Sequence, residues 1–195
     1  MLKVSEITIN ELAPISFELA AGECLGVSGE SGCGKTRLLR AIADMDEVAG
    51  TVCIDELCRQ DVPAADWRKR VALLPAESQW WFDTVGPHFS QDDVDLTALG
   101  FGDDVMNWSV TRCSSGEKQR LAILRLLANR PKVLLLDEPT ANLDTENTRK
   151  VEALIADYLR DNGASAIWVS HNPEQLRRVA SECYYDFSRT AMVML

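Results

Sequence analysis

Gly29 to Thr36 read GESGCGKT, between a short apolar run, Cys24 to Ser28, and a stretch of helical spacing from Lys35 to about Met45. A strand before it and a helix behind it give the pattern GxxxxGK[ST] its meaning. Glycines at this spacing let successive backbone N–H groups turn inward around phosphate oxygens, while the helix presents its positive end to the same point. Gly29, Glu30, Ser31, Gly32, Cys33, Gly34, Lys35, Thr36 and Arg37 are therefore read as the lining of a phosphate cradle. In such a cradle the Lys35 ammonium reaches the outer phosphates and the Thr36 hydroxyl holds Mg²⁺.

Downstream, Val133-Leu134-Leu135-Leu136-Asp137-Glu138-Pro139 is an apolar run that delivers two carboxylates at its end. Ligands of open parallel sheets collect at that edge. Asp137 is read as the second Mg²⁺ residue, acting through the metal's water shell. Side chains alternate along a strand, so Glu138 is expected on the opposite side, placed to orient or deprotonate an attacking water. Together with the cradle, this pair points to nucleotide hydrolysis, with Lys35 and Glu138 as catalytic candidates.

Between these two motifs lies Cys113-Ser114-Ser115-Gly116-Glu117, ahead of a helical stretch from Gly116 to about Asn129. Ser114 with Glu117 three positions on has the form of a capping box. A hydroxyl, a small residue and free N–H groups at a helix start also make an anion site. After the run Ala166 to Val169, His171 precedes Asn172-Pro173-Glu174-Gln175, a second cap with proline at the first helical position.

The remaining elements complete an α/β reading. Lys3 to Ile9 and Ile15 to Leu19 read as strands around a turn at Pro14, and Ala21 to Glu23 as another turn. Thr51 to Ile54 and Val71 to Leu74 read as strands and Thr148 to about Asp161 as a helix. Strands alternating with helices predict a mostly parallel sheet beside an N-terminal antiparallel region. From Glu77 to Val110 the pattern breaks into short acidic pieces, read as a short inserted helical subdomain.

A chain of 195 residues suffices for one domain. Thirty acidic against twenty basic residues give a formal charge of −10, against a chain whose main task is gripping nucleic-acid phosphates. Arg68-Lys69-Arg70 and Arg177-Arg178 are read as solvated helix faces. No apolar run approaches the roughly 20 residues needed to span a bilayer, and the first ten residues lack a signal peptide's apolar stretch. A cytoplasmic chain is expected, its six cysteines reduced and mostly buried.

CSSGEKQR, Cys113 to Arg120, resembles the LSGGQ signature of ABC ATPases, and it stands a short interval before the acidic strand, as in that family. Ala141-Asn142-Leu143-Asp144 is similar to the family's D-loop, and His171 to its switch histidine. The resemblance covers nearly the whole chain. It implies a P-loop NTPase fold in a single ATP-binding domain over residues 1–195, with a core of about 20–76 and 117–195 and a reduced signature subdomain of about 77–116. It implies ATP and Mg²⁺ as ligands and a head-to-tail dimer, either a homodimer or a paired cassette. Ser114, Ser115 and Gly116 would contact the γ-phosphate held by the partner, His171 the γ-phosphate of its own chain, and Asp144 would work across the interface. The function implied is ATP hydrolysis powering a separate transmembrane permease, on the cytoplasmic face of the inner membrane. The alternative is a soluble ABC ATPase that remodels a protein or nucleic-acid assembly.

Two positions depart from the family. Ile7 to Ile15 contain no aromatic residue to stack on adenine, and the glutamine expected after Leu73-Leu74-Pro75 is Ala76, with Glu77 and Gln79 as possible substitutes. Trp80-Trp81-Phe82 are either the core of the inserted part or a docking surface.

Overall fold

The computed structural model describes residues 1–9, 13–90, 94–180, 183–187 and 191–194. In chain order the strands and α-helices are β1 (Leu2–Ile7), β2 (Ile15–Leu19), β3 (Cys24–Ser28), α1 (Lys35–Ile42), β4 (Thr51–Ile54), β5 (Leu57–Cys58), α2 (Ala64–Arg70) and β6 (Val71–Leu74). They continue with α3 (Ser115–Ala128), β7 (Val133–Asp137), α4 (Thr145–Asn162), β8 (Ser165–Val169), α5 (Pro173–Val179), β9 (Cys183–Asp186) and β10 (Ala191–Met194).

Two sheets result. One is antiparallel with order β2-β1-β4-β5; the other has order β10-β9-β3-β8-β7-β6 and is parallel except at β10. The α/β architecture with a parallel sheet and an N-terminal antiparallel region is the one expected. β7 and β8 are buried at every residue, which is why both read as continuous apolar runs. The core divides around the parallel sheet. Leu38, Leu39, Ile42, Trp67 and Ile167 lie in one cluster, and Leu121, Leu124, Leu136, Val151 and Trp168 in the other.

Several boundaries move, each for a local reason. The strand expected to reach Ile9 ends at Ile7, although Ile9 is still fully buried. The helix expected to reach Met45 ends at Ile42, where Ala43 caps it by donating to Leu39 and Asp44 adopts φ 59°. α4 starts three residues before the expected Thr148, because Asp144 is its N-cap and accepts from the Asn147 N–H. The hairpin strand β5, helix α2 and strands β9 and β10 carry no period strong enough to be expected. Among the described residues between β6 and α3 the chain is helical only in short 3₁₀ turns, at Gly86–His88, Leu96–Leu99, Asp103–Asn107 and Val110–Arg112.

The cysteine expectation needs correction. Cys53 and Cys58 face each other across the β4–β5 register and form a disulfide, with Cα atoms 3.9 Å apart. Cys24 and Cys113 are buried thiols as expected, and burial pushes Cys24 up to about 12. Arg68, Lys69, Arg70, Arg177 and Arg178 are all exposed, as expected of solvated helix faces, and from its face the Arg178 guanidinium holds Glu152 through Nε at 3.0 Å and Nη2 at 2.7 Å. Arg68 and Lys69 are likewise engaged, with the Asp44 carbonyl and the Asp66 carboxylate.

Candidate nucleotide site

β3 runs between β8 and β9, so the loop after it leaves the middle of the parallel sheet. Gly29 has φ +143°, and a Cβ there would lie 2.8 Å from Phe187 Cβ and 2.9 Å from Cys33 Sγ. Glycine is therefore required both by conformation and by space. Phe187 stands far along the chain and has no sequence signal linking it to the loop; only the β3–β9 pairing brings it behind Gly29. Gly34, at φ 117°, opens α1 as its N-cap.

Lys35 is 7% exposed, and its ammonium donates to the carbonyls of Gly29 and Glu30, both at 2.8 Å. Glu30, Ser31 and Gly32 are exposed at the tip of the loop, while Cys33 is half-buried, its sulfur 3.9 Å from Lys35 Nζ. Arg37 is exposed, and its charge helps hold the Asp46 carboxyl below the usual range, a shift owed chiefly to the Arg40 hydrogen bond.

Thr36 and Asp137 stand 101 positions apart in sequence, yet Thr36 Oγ1 donates to Asp137 Oδ2 at 2.6 Å. A hydroxyl and a buried carboxylate converging beside backbone amides form a hard oxygen pair, the donor chemistry that Mg²⁺ prefers. The two sequence motifs thus meet where β3 and β7 end.

Glu138 lies one residue beyond β7 with φ 49°. A turn, not strand alternation, therefore sets its direction, which corrects the expectation from pleat geometry. The backbone secures that turn: Glu138 N–H donates to Val169 O at 3.2 Å, and Ala141 N–H donates to Glu138 O at 3.2 Å. A left-handed non-glycine residue is costly and persists only where its surroundings hold it. Glu138 Oε1 is buried without a hydrogen-bond partner among the described residues, and His171 Nε2 lies 3.6 Å from it. Burial pushes the Glu138 carboxyl above the ordinary glutamate range; His171 pulls it down and Asp137 pushes it up. A carboxylate raised this way is a stronger base once ionised. A cavity of about 590 Å³ opens beside Glu138 and His171.

The signature turn is ordered by its own side chains. Ser114 Oγ accepts from Glu117 N–H at 3.2 Å, and Glu117 Oε2 accepts from the Ser114 N–H and hydroxyl at 2.8 Å each, the capping box read from sequence. Ser114 and Ser115 are exposed. A Cβ on Gly116 would lie 3.0 Å from Asn142 O and 3.3 Å from Leu143 Cδ2, so the helix start packs on the turn before Asp144. Asp144 is exposed and caps α4 through two 2.8 Å bonds from Asn147. The structure thus gathers Lys35, Thr36, Asp137, Glu138 and His171 at one edge, and Gly116 with the turn leading to Asp144 at another.

Ala76 and Glu77 are exposed, and Gln79 contributes its carbonyl, not its side chain, to Arg125 at 3.2 Å. Part of Ile7 to Ile15, residues 10–12, falls outside the described residues. Trp80 is packed against the core, whereas Trp81 and Phe82 are 65% and 47% exposed. Met45, Leu74, Pro75, Trp81, His88 and Arg125 are among the residues lining a groove of about 430 Å³ beside them.

A phosphate-binding loop at the head of a parallel sheet, facing an acidic pair on the neighbouring strand system, defines a P-loop nucleotide-binding cassette. Residues 12–141 match the family model described as ABC transporter. The chain belongs to that family. It is 30% identical over 178 residues to the probable iron export ATP-binding protein FetA of Escherichia coli (strain K12), covering 83% of this chain and 78% of the relative. It is 31% identical over 194 residues to the methionine import ATP-binding protein MetN of Helicobacter hepaticus (strain ATCC 51449 / 3B1), covering 88% of this chain but only 54% of that relative. The dimeric post-hydrolysis structure of the ATP-binding cassette MJ0796 bound to ADP and Pi shares the fold at TM-score 0.77 and 23% identity, over 95% of this chain and 94% of that one. An ATP-bound bacterial Atm1-family ABC exporter matches at TM-score 0.82 and 21% identity, over 98% of this chain and 38% of that one.

Proposed function

We propose that this chain is the ATP-hydrolysing subunit of an ABC transporter, driving a separate transmembrane permease through nucleotide-dependent pairing of two cassettes. The observation that carries the reading is the 2.6 Å contact between Thr36 and Asp137, with Glu138 and His171 at the same sheet edge. Residues about 20–76 and 117–195 form the nucleotide-binding core of the cassette, and about 77–116 its inserted, signature-bearing part.

The residues from Gly29 to Arg37 bind the triphosphate. Backbone amides and the positive end of α1 hold the phosphate oxygens, and Lys35 exchanges its carbonyl partners for the outer phosphates. Thr36 and Asp137 would hold Mg²⁺, which supplies neutralisation of phosphate charge when bound. Glu138 accepts a proton from the attacking water, and its raised basicity follows from burial. His171 donates toward the γ-phosphate and, 3.6 Å from Glu138, keeps the base and the phosphate in register. Ser114, Ser115 and Gly116 close over the nucleotide of the partner cassette, with Asp144 at the same interface. Such a composite lid excludes water and strengthens each charge interaction inside it.

Among the described residues no helix is long and apolar enough to cross a membrane. In the proposed assembly the spanning part is a separate permease, with this chain peripheral on its cytoplasmic face. Trp81 beside Arg125, with Phe82 next to Trp81, gives the permease an aromatic docking surface. Glu138→Gln keeps the shape and removes the base. It should retain ATP and accumulate a stable dimer, seen by size-exclusion chromatography with light scattering. Unchanged turnover in that variant would remove Glu138 from the mechanism.

A further inference from the structure

Behind His171 runs a buried chain of hydrogen bonds that ties its turn to the turn carrying Glu138. Ser170 is 2%, Gln175 4% and Thr140 8% exposed, so every polar atom there needs a protein partner. The Ser170 hydroxyl donates to Gln175 Oε1 at 2.9 Å and accepts from the Asn172 N–H at 3.1 Å. Gln175 Nε2 then donates to Thr140 Oγ1 at 2.8 Å and to Glu152 Oε1 at 2.9 Å. The carboxamide thus uses both its donors and its acceptor on three different elements: the end of β8, the turn after β7, and α4.

Each end of this chain is fixed. Ser170 N–H donates to Val27 O at 3.1 Å, on the strand that feeds the phosphate loop. Glu152 is clasped by Arg178 and also accepts from Arg149 at 3.2 Å. Arg178 and Gln175 outweigh the cost of burying the Glu152 charge, and its carboxyl lies below the usual glutamate range. Thr140 is two residues after Glu138, and Ser170 immediately precedes His171. The side chain of His171 itself is 53% exposed, so packing does not fix its position. A satisfied buried network is the element that can hold such a turn rigid.

We propose that Gln175 is a positioning residue for hydrolysis: its carboxamide locks the turn of residues 170–172 to the turn after β7, setting the separation of His171 from Glu138. The proposal rests on the reading of those two residues as hydrolytic. A displacement of about 1 Å in a reacting group can cost on the order of 100-fold in rate.

The test is steady-state hydrolysis of Mg-ATP by the full chain, with nucleotide affinity measured separately by titration of a fluorescent ATP analogue. Gln175→Leu removes all three bonds at similar volume. It should lower kcat about tenfold or more and leave KM and nucleotide affinity within about twofold, because the phosphate loop is untouched. In a His171→Ala background the same substitution should cost less than about twofold, since its effect runs through His171. If Gln175→Leu does not yield folded protein, Ser170→Ala interrupts the same chain and carries the same cycle. Undiminished kcat in these variants, or losses that add to that of His171→Ala, would overturn the proposal and leave the hydrolytic reading standing. Undiminished kcat in His171→Ala alone would overturn both.

Discussion

At the phosphate-facing edge of the parallel sheet, functional side chains leave strand ends that are paired on both sides. In the inserted segment between β6 and α3, the stretch from Trp80 to Val85 gathers around a single histidine. β7 lies between β6 and β8, buried along its whole length, and backbone bonds from Glu138 and Ser170 cross to neighbouring strands. In the insert, His88 Nε2 accepts from the Trp81 and Phe82 N–H groups at 2.9 and 3.0 Å, while Nδ1 faces the carbonyls of Thr84 and Val85. The rings of Trp80, Trp81 and Phe82 all stand edge-on to it, within about 5 Å. In the first region strand ladders fix the backbone at Ser28, Asp137 and Val169, and the Gln175 bonds tie the turns that follow β7 and β8. In the second, one side chain closes the stretch from Trp81 to Val85, which backbone bonds from Val85 to Trp108 and from Val110 to Asp83 tie to the rest of the insert, outside the sheet ladders.

The largest effect should come from the ladder-fixed edge. Lys35→Ala removes the one buried cation in the cradle and should cut hydrolysis by about 100-fold or more, measured as phosphate release under saturating Mg-ATP. Its thermal stability should stay close to that of the parent chain, because the ammonium's hydrogen bonds go to its own loop: the carbonyls of Gly29 and Glu30 and the Cys33 sulfur. Near-normal turnover would place the chemistry elsewhere.

The middle effect belongs to the insert. His88→Ala leaves two backbone N–H groups without their acceptor and should lower unfolding stability by about 1–3 kcal/mol in denaturant titration. Hydrogen exchange should rise between residues 80 and 90, while ATP affinity holds. A parallel fall in ATP affinity would merge the two regions into one cooperative unit and break the comparison.

This contrast also explains what could be read from the chain alone. GESGCGKT, VLLLDEP and the capping residues Ser114, Asn172 and Pro173 were legible because each acts through its own short segment: a glycine turn, a fully buried strand, a side chain closing its own helix. The Thr36–Asp137 contact followed from two such segments and the rule that parallel strands present their carboxyl ends together. Phe187 behind Gly29, the direction of Glu138 and the Gln175 chain were not legible, since they depend on strand order and on one left-handed residue. The insert escaped because 3₁₀ turns lack a hydrophobic period. The Cys53–Cys58 pair depended on a hairpin with a two-residue strand, too short to leave a pattern.

The smallest effect separates folding from docking within the insert itself. Trp80 packs on the core and under the Arg125 guanidinium, whereas Trp81 is 65% exposed and its main-chain N–H, not its ring, supplies the bond to His88. Trp81→Ala gives up the ring's edge-on contact with His88 and its contact with Arg125, and should therefore change unfolding stability by no more than about 1 kcal/mol. The same change removes most of the exposed aromatic area beside the groove of about 430 Å³, so capture of a permease from solubilised membranes should fail. If stability instead falls by about 2 kcal/mol, Trp81 belongs to the fold of the insert, and the docking surface has to be sought on another face.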